Sequence, residues 1–393
     1  MYRLLPGIYD IGLLNGEKAR SGRAKARRLQ KAERGAAGIK RGAYKRRSIR
    51  TRWRGKLAAT GAKPFGEAGG MMQKHGHGGI GWAAVAGFLL VAFAVTLGSA
   101  AAGQSENKTP SQSAQKTQTK VVLLGTGTPR PFPDRSGPAT AIVVGQRAYL
   151  VDFGPGVVRR ASAAAAQGTP QLESTNLKIA FLTHLHSDHT AGYPDLILTP
   201  WVMGRTELDV YGPEGLEEMT KHVLEAWRRD IEIRTTGLEQ RHALVVRAHD
   251  VKAGVVYKDE RVTVTAFRVA HGQWPEAFGY RFDTPGKSIV ISGDTSPSEE
   301  IVAHCQPCDV LIHEVYSPGS VLGMPDYKTY RAKYHTSTSE LAEIANRTKP
   351  GILVVYHTSG KGPNGPIPDE QLLREIQKTY HGKVVIGHDL EVY

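Results

Sequence analysis

The chain has 393 residues, enough for two average domains or for one large domain with appendages. Its formal net charge of +14 points at first to nucleic acid, but the surplus is local: residues 1–70 hold 19 Lys and Arg against 4 Asp and Glu, and the remainder holds 32 against 33. A body that binds polyanions through overall basicity is therefore excluded.

In chain order, residues 1–71 form a basic tail with few large apolar residues and no sustained period, which reads as disordered. RNA or anionic lipid would suit such a tail. The reading preferred here is upstream sequence translated from a start codon placed too early, with Met71 and Met72 as candidate starts. Residues 72–102 follow with a mildly basic front, an apolar stretch from Trp82 to Gly98 and small residues at Ala100 to Ala102. This is the layout of a signal peptide, and an uncleaved membrane anchor is its rival. Either places the body outside the cytosol, in the periplasm or beyond; a membrane partner is expected only if residues 82–102 remain as an anchor. Residues 103–120 are a polar linker.

Residues 121–393 make the folded body. "KVVLLGTGTP", "ATAIVVG" and "RAYLVDFG" read as strands, "VVRRASAAAAQG" as a helix with a Gly stop, "LKIAFLTH" and "ELDVYGP" as strands, and "EGLEEMTKHVLEAWRRDI" as one long amphipathic helix. The second half repeats the theme. Strands "VVYKD", "RVTVTAFRVAH", "FGYRFD" and "KSIVISGD" precede an alternation of helices ("SPSEEIVAHC", "STSELAEIANRTK", "DEQLLREIQKTY") with strands ("DVLIHEVY", "GILVVYH", "KVVIGHD"). Two sheets with helices outside, a layered α/β sandwich, accommodate this order. The two cysteines, Cys305 and Cys308, read equally well as a local disulfide or as two thiols without chemistry.

"FLTHLHSDHT" concentrates the chemistry. His184 and His186 alternate in an extended segment and share a face, and the following turn swings Asp188 and His189 toward a neighbouring position. Imidazole and carboxylate suit divalent ions such as zinc. One loop cannot fill two metal sites, so further ligands must come from other strand ends. His271, Asp294 and His357 each close an apolar run, and so do the rivals His313 and His388; position alone does not choose among them.

The body resembles the metallo-β-lactamase superfamily, in the group that includes ribonuclease Z and a branch of arylsulfatases. The resemblance rests on "VVLLGTGTPRPFPDRSG", "THLHSDHTAGYPDL", "VYGPEGLEE", "AHGQWPEAFGYRF", "SGDT", "IHEVY", "YHTSTSELAEIA" and "VVYHTS", in the family's order. It implies an α/β four-layer αβ/βα sandwich holding two divalent ions, zinc first and manganese or iron as alternatives. One ion would be held by His184, His186 and His271, the other by Asp188, His189 and His357, with Asp294 bridging both; His313 and His388 fall outside.

Two such ions lower the pKa of a shared water, making a bridging hydroxide the expected nucleophile. Asp188 is placed to hold its proton, and His335, oriented by Glu314, to protonate the leaving group, as the resemblance to ribonuclease Z implies. Arg135 in the Gly/Pro loop is a candidate contact for an anionic substrate.

Ribonuclease Z enzymes usually carry a long arm between the "FGYR" and "GDT" strands; here only "FDTPGKSIVI" stands there. Gly272 after the ligand histidine and Tyr334 before His335 are two further departures. With the neutral body, these place first an exported hydrolase of a small sulfate or phosphate ester, arylsulfatase-like, with nucleic acid not expected as a partner and a homodimer compatible with the chain. Ribonuclease Z-like phosphodiester cleavage is the alternative, then lactone or β-lactam hydrolysis. A non-catalytic metal-binding protein is the reading outside enzymes.

Overall fold

The structure is a computed structural model that describes residues 8–9, 118–320, 330–360 and 365–393. The remainder of the basic tail, the apolar stretch and nearly all of the linker lie outside the described residues. Among the described residues no helix is long and apolar enough to cross a membrane.

Two seven-stranded sheets stack face to face, each covered by helices on its outer side. In the first, β2 (Thr119–Gly125), β3 (Ala139–Val144) and β4 (Arg147–Val151) form an antiparallel meander. The chain then runs parallel through β5 (Ile179–Phe181), β6 (Glu207–Gly212) and β7 (Val245–Asp250), and β1 (Ile8–Tyr9) pairs antiparallel with β7 at the edge. The second sheet repeats this plan. β8 (Gly254–Lys258), β9 (Thr263–Arg268), β10 (Phe278–Asp283) and β11 (Ser288–Ile291) alternate in direction; β12 (Val310–Tyr316), β13 (Ile352–Ser359) and β14 (Val384–Ile386) follow in parallel.

Parallel neighbours require crossovers, and helices supply them. α1 (Val157–Ala166) links β4 to β5; α2 (Ser187–Thr190) and α3 (Tyr193–Val202) link β5 to β6; α4 (Leu216–Ala226) and α5 (Arg228–Thr236) link β6 to β7. In the second half α6 (Glu299–His304), α7 (Ala332–Tyr334), α8 (Thr338–Thr348) and α9 (Asp369–Ile376) do the same.

Strand alternation builds the layers. Val121 and Leu123 of β2 face the other sheet, while Val122 and Leu124 face the helices; Ile312 and Leu311 of β12 divide in the same way. Both faces are covered, so these strands read as unbroken apolar runs. Phe181 sits in the middle layer, its ring 5.5–5.8 Å from those of Tyr211, Tyr257, Tyr280 and Phe282. The result is the four-layer sandwich expected.

Local differences have physical causes. The single helix expected over Glu214–Ile231 breaks at Trp227, and the bend lets Ile231 of α5 join the outer core that Leu216 and Leu224 of α4 already occupy. β7 went unread because Arg247, His249 and Asp250 interrupt its apolar pattern; across the strand pair Arg247 binds Asp209 (2.8 Å) and Glu207 (2.5 Å) of β6. Cys305 and Cys308 are joined as a disulfide.

α3 also went unread, since Pro194 and Pro200 both argue against a helix. Pro194 falls in the first turn, where its missing N–H is harmless. Pro200 leaves the carbonyl of Leu196 without its i+4 donor, and the buried guanidinium of Arg205 supplies one at 2.7 Å, bonding Leu177 O and Ile197 O as well. Burial without a carboxylate in the cage depresses the Arg205 pKa to about 9. Arg205→Met is expected to strand these carbonyls and lower stability by about 3 kcal/mol, read as a fall in the urea midpoint at unchanged slope; an unchanged midpoint would refute this role.

Candidate metal centre

The site forms where C-terminal strand ends of the two sheets meet, the usual place for a site on parallel strands. From the first sheet, the segment after β5 carries His184 and His186; His186 is still extended, and α2 begins directly after it, bringing Asp188 and His189 into its first turn. From the second sheet come His271 beyond β9, Asp294 beyond β11, and His357 within β13.

Donor atoms of His184, His186, His271 and Asp294 all lie within 4.8 Å of one another, as do those of Asp188, His189 and His357. Asp294 stands between the groups: Oδ2 is 3.9 Å from His271 Nε2, and Oδ1 is 3.5 Å from His189 Nε2 and 3.4 Å from His357 Nδ1. Those last three atoms, Asp294 Oδ1, His189 Nε2 and His357 Nδ1, are buried and have no hydrogen-bond partner. Converging orphaned donors are costly unless a cation satisfies them, so the residues present fit a pair of divalent ions.

The outer atoms of the rings are held in turn. His271 Nδ1 donates to Tyr334 O (2.7 Å), His184 Nδ1 meets Thr183 Oγ1 (3.0 Å), and Trp274 Nε1 donates to His186 Nε2 (2.8 Å). His189 Nδ1 donates to Asp152 (2.8 Å), whose carboxylate also accepts from Thr183 N and Oγ1. Such contacts fix ring orientation around metals. Asp152 (φ 62°) and His357 (φ 43°) both adopt the left-handed region, rare for non-glycine residues, and Gly293 beside Asp294 (φ 60°) has no room for a Cβ, which would lie 2.8 Å from Phe278 O.

Electrostatics divides the imidazoles. Burial pushes His184 and His186 down and His271 to about 4, leaving neutral rings with lone pairs. Burial acts the same way on His189, but the carboxylates of Asp152 and Asp294 outweigh it and raise its pKa; Asp294 and Asp188 likewise raise that of His357. Asp294 and Asp188 titrate below the usual range, since the surrounding histidines overcome the penalty of burial.

Beside the cluster, His335 Nδ1 lies 3.1 Å from Glu314 Oε1, which also accepts from the backbone N–H groups of Thr295 (3.3 Å) and Thr336 (3.2 Å). Burial, then Asp294, raises the Glu314 pKa, and burial holds His335 near 4. His335 does not cap α8: Ser337 does, in a capping box with Glu340. His335 lines a cavity of about 350 Å³ together with Asp188, Asp294 and His357.

Arg135 is a correction. It is buried away from this cavity, donating to Thr126 Oγ1 and Gly387 O and pairing with Asp369. A long cation in a Gly/Pro loop looked available; the C-terminal segment engages it. The rivals His313 and His388 stay outside both groups, His313 bonded to Glu314 O and His388 to Asp369.

Sequence reasoning missed Asp152, although the strand-end test that found His271 and Asp294 applies equally to "YLVDFG". It missed Trp274, and Arg130 and Arg331 on the cavity rim, which carry no pattern. It also treated Gly272 and Tyr334 as separate departures. They are one feature: Gly272 has φ 58°, and a Cβ there would collide with the Tyr334 ring.

Residues 147–358 match the β-lactamase superfamily domain. The chain belongs to that superfamily, as a metal-dependent hydrolase of the metallo-β-lactamase fold. Among its relatives, a ribonuclease Z of Mycobacterium bovis BCG is 32% identical over 281 residues, covering 69% of this chain and 96% of that protein. A ribonuclease Z of Mycobacterium sp. strain KMS is 35% identical over 276 residues, covering 69% and 94%. Two solved structures share the fold. A metallo-β-lactamase fold protein of Bacillus subtilis has TM-score 0.54 at 18% identity, covering 70% of this chain and 99% of that one; human short-form tRNase Z has TM-score 0.50 at 22%, covering 70% and 98%.

Asp152→Asn removes the carboxylate that fixes His189. It is expected to weaken binding of one of two zinc ions by roughly 10–100-fold, as loss of such partners does, measured by competition with a chromogenic chelator. Equal affinity in variant and parent would show that Asp152 does not orient the ligand.

Proposed function

We propose that this protein is a dinuclear metal-dependent phosphodiesterase of the ribonuclease Z kind. The observation that carries the reading is the seven-residue His/Asp cluster with the His335–Glu314 pair at its edge, in a chain that has relatives above 30% identity named ribonuclease Z. This reverses the order in which the sequence ranks the esters. The missing arm loses its force, because an alignment of 281 positions over 69% of this chain and 96% of the M. bovis protein leaves room for only short insertions in either. The expectation that nucleic acid is not a partner rested on that arm and on the neutral body, and it is withdrawn with it.

His184, His186 and His271 would hold one ion and Asp188, His189 and His357 the other, with Asp294 between them. Divalent ions bound there supply charge neutralisation on the ester and a lowered pKa for attacking water. The protein's own groups do the rest. Asp188, kept ionised, lines the cavity and is placed to accept the proton of the attacking water. Glu314, whose pKa burial raises, can hold a proton against His335 Nδ1, so that the neutral ring carries its own proton on Nε2 and gives it to the departing oxygen as Nδ1 takes the one from Glu314.

The small sulfate or phosphate ester remains the second reading, favoured by the small size of the cavity over the ligand cluster, about 350 Å³. Export belongs to the same proposal: the layout of residues 72–102 supports it, and a Cys305–Cys308 disulfide suits an oxidising compartment.

Loaded with zinc or manganese, the protein is expected to hydrolyse bis(4-nitrophenyl) phosphate and an unstructured oligoribonucleotide, and Asp294→Ala to lose both. His335→Ala is expected to slow RNA cleavage by roughly 10²–10⁴-fold and the nitrophenyl diester far less, because nitrophenolate departs without a proton. Turnover of 4-nitrophenyl sulfate with neither diester cleaved would overturn the proposal in favour of the second reading.

A further inference from the structure

The cavity over the ligand cluster holds about 350 Å³, at the small end of the ~300–1,000 Å³ typical of ligand pockets. Its two carboxylates, Asp188 and Asp294, both belong to the ligand cluster. Its rim carries two arginines from separate parts of the chain, Arg130 after β2 and Arg331 ahead of α7. Among the described residues neither is ion-paired to a carboxylate, unlike Arg147, Arg247 and Arg347 elsewhere on the surface.

Arg331 is held through a stack. Its guanidinium carbon stands 5.7 Å from the centroid of the Tyr330 ring, which stacks on Tyr334 at 4.3 Å and 17°. Tyr334 in turn fills the space left by Gly272 and accepts the Nδ1 proton of His271 on its carbonyl. The rim cation is thereby tied to the ligand cluster rather than hanging loose in solvent. Bound ions would neutralise the ester under attack, and two further guanidinium groups facing the same small space call for a second anion.

We infer that Arg130 and Arg331 form an anion subsite for the phosphate adjoining the one being cleaved, so that the preferred substrates are nucleotidyl phosphodiesters carrying a second phosphate. This rests on the phosphodiester reading. A singly charged aryl sulfate would leave the subsite unused.

The test compares UpU with its phosphorylated forms pUpU and UpUp on the metal-loaded full chain. One phosphorylated form is expected to exceed UpU in kcat/KM by about tenfold or more, chiefly through KM, and the advantage to shrink with added salt. In the Arg130→Gln/Arg331→Gln double variant the ratio between substrates is expected to fall toward one, and in the double lysine variant to recover in part. A merely structural role would slow all substrates alike and leave the ratio intact. A ratio near one in the parent, or unchanged in the glutamine variant, overturns the subsite while continued cleavage of UpU leaves the phosphodiesterase standing. Cleavage of no dinucleotide, with aryl sulfate turned over, overturns both.

Discussion

The carboxylate of Asp294 is the constraint on which the site depends. It is buried and ionised, and its two oxygens face different histidine groups, Oδ2 toward His271 and Oδ1 toward His189 and His357. An ionised carboxylate in such a place is strongly unfavourable unless compensated. Compensation comes from both halves of the molecule: His184 and His189 follow a strand of the first sheet, while His271 and His357 belong to the second. The sheets must therefore meet with these strand ends aligned, and the aromatic middle layer around Phe181 sets that alignment.

Around this centre, strain and satisfaction are arranged in pairs. Asp152 and His357 take left-handed backbone conformations, and each is held by contacts at the site: Asp152 by His189 and Thr183, His357 by Asp188. Gly272 and Tyr334 are another such pair, one residue giving up its side chain so that the other's ring can sit against the His271 loop. These local departures from ordinary preference concentrate where the chemistry is, as expected when function competes with stability.

Much of this was legible in the sequence, for identifiable reasons. Strand-end histidines and aspartates mark positions that a layered sandwich brings together, and the doubly buried strands announce themselves as apolar runs. The ligand set itself needed the family resemblance, since His313 and His388 close similar runs and only the three-dimensional arrangement turns them elsewhere. Asp152 was accessible to the same reasoning and was overlooked. Arg205 behind α3, the role of Arg135 and the Tyr334–Gly272 contact were not accessible, because each depends on partners distant in sequence. The ranking of esters inverted because it leaned on an absent insertion and on net charge, whereas local charge at the cavity rim is what a substrate meets.

The central claim is that seven residues form a two-ion centre organised by Asp294. Native mass spectrometry of the zinc-loaded chain tests it directly. Two zinc ions per chain in the parent, and one or none in Asp294→Asn, is the result this account predicts. A single ion in the parent, or two retained by the variant, would contradict it.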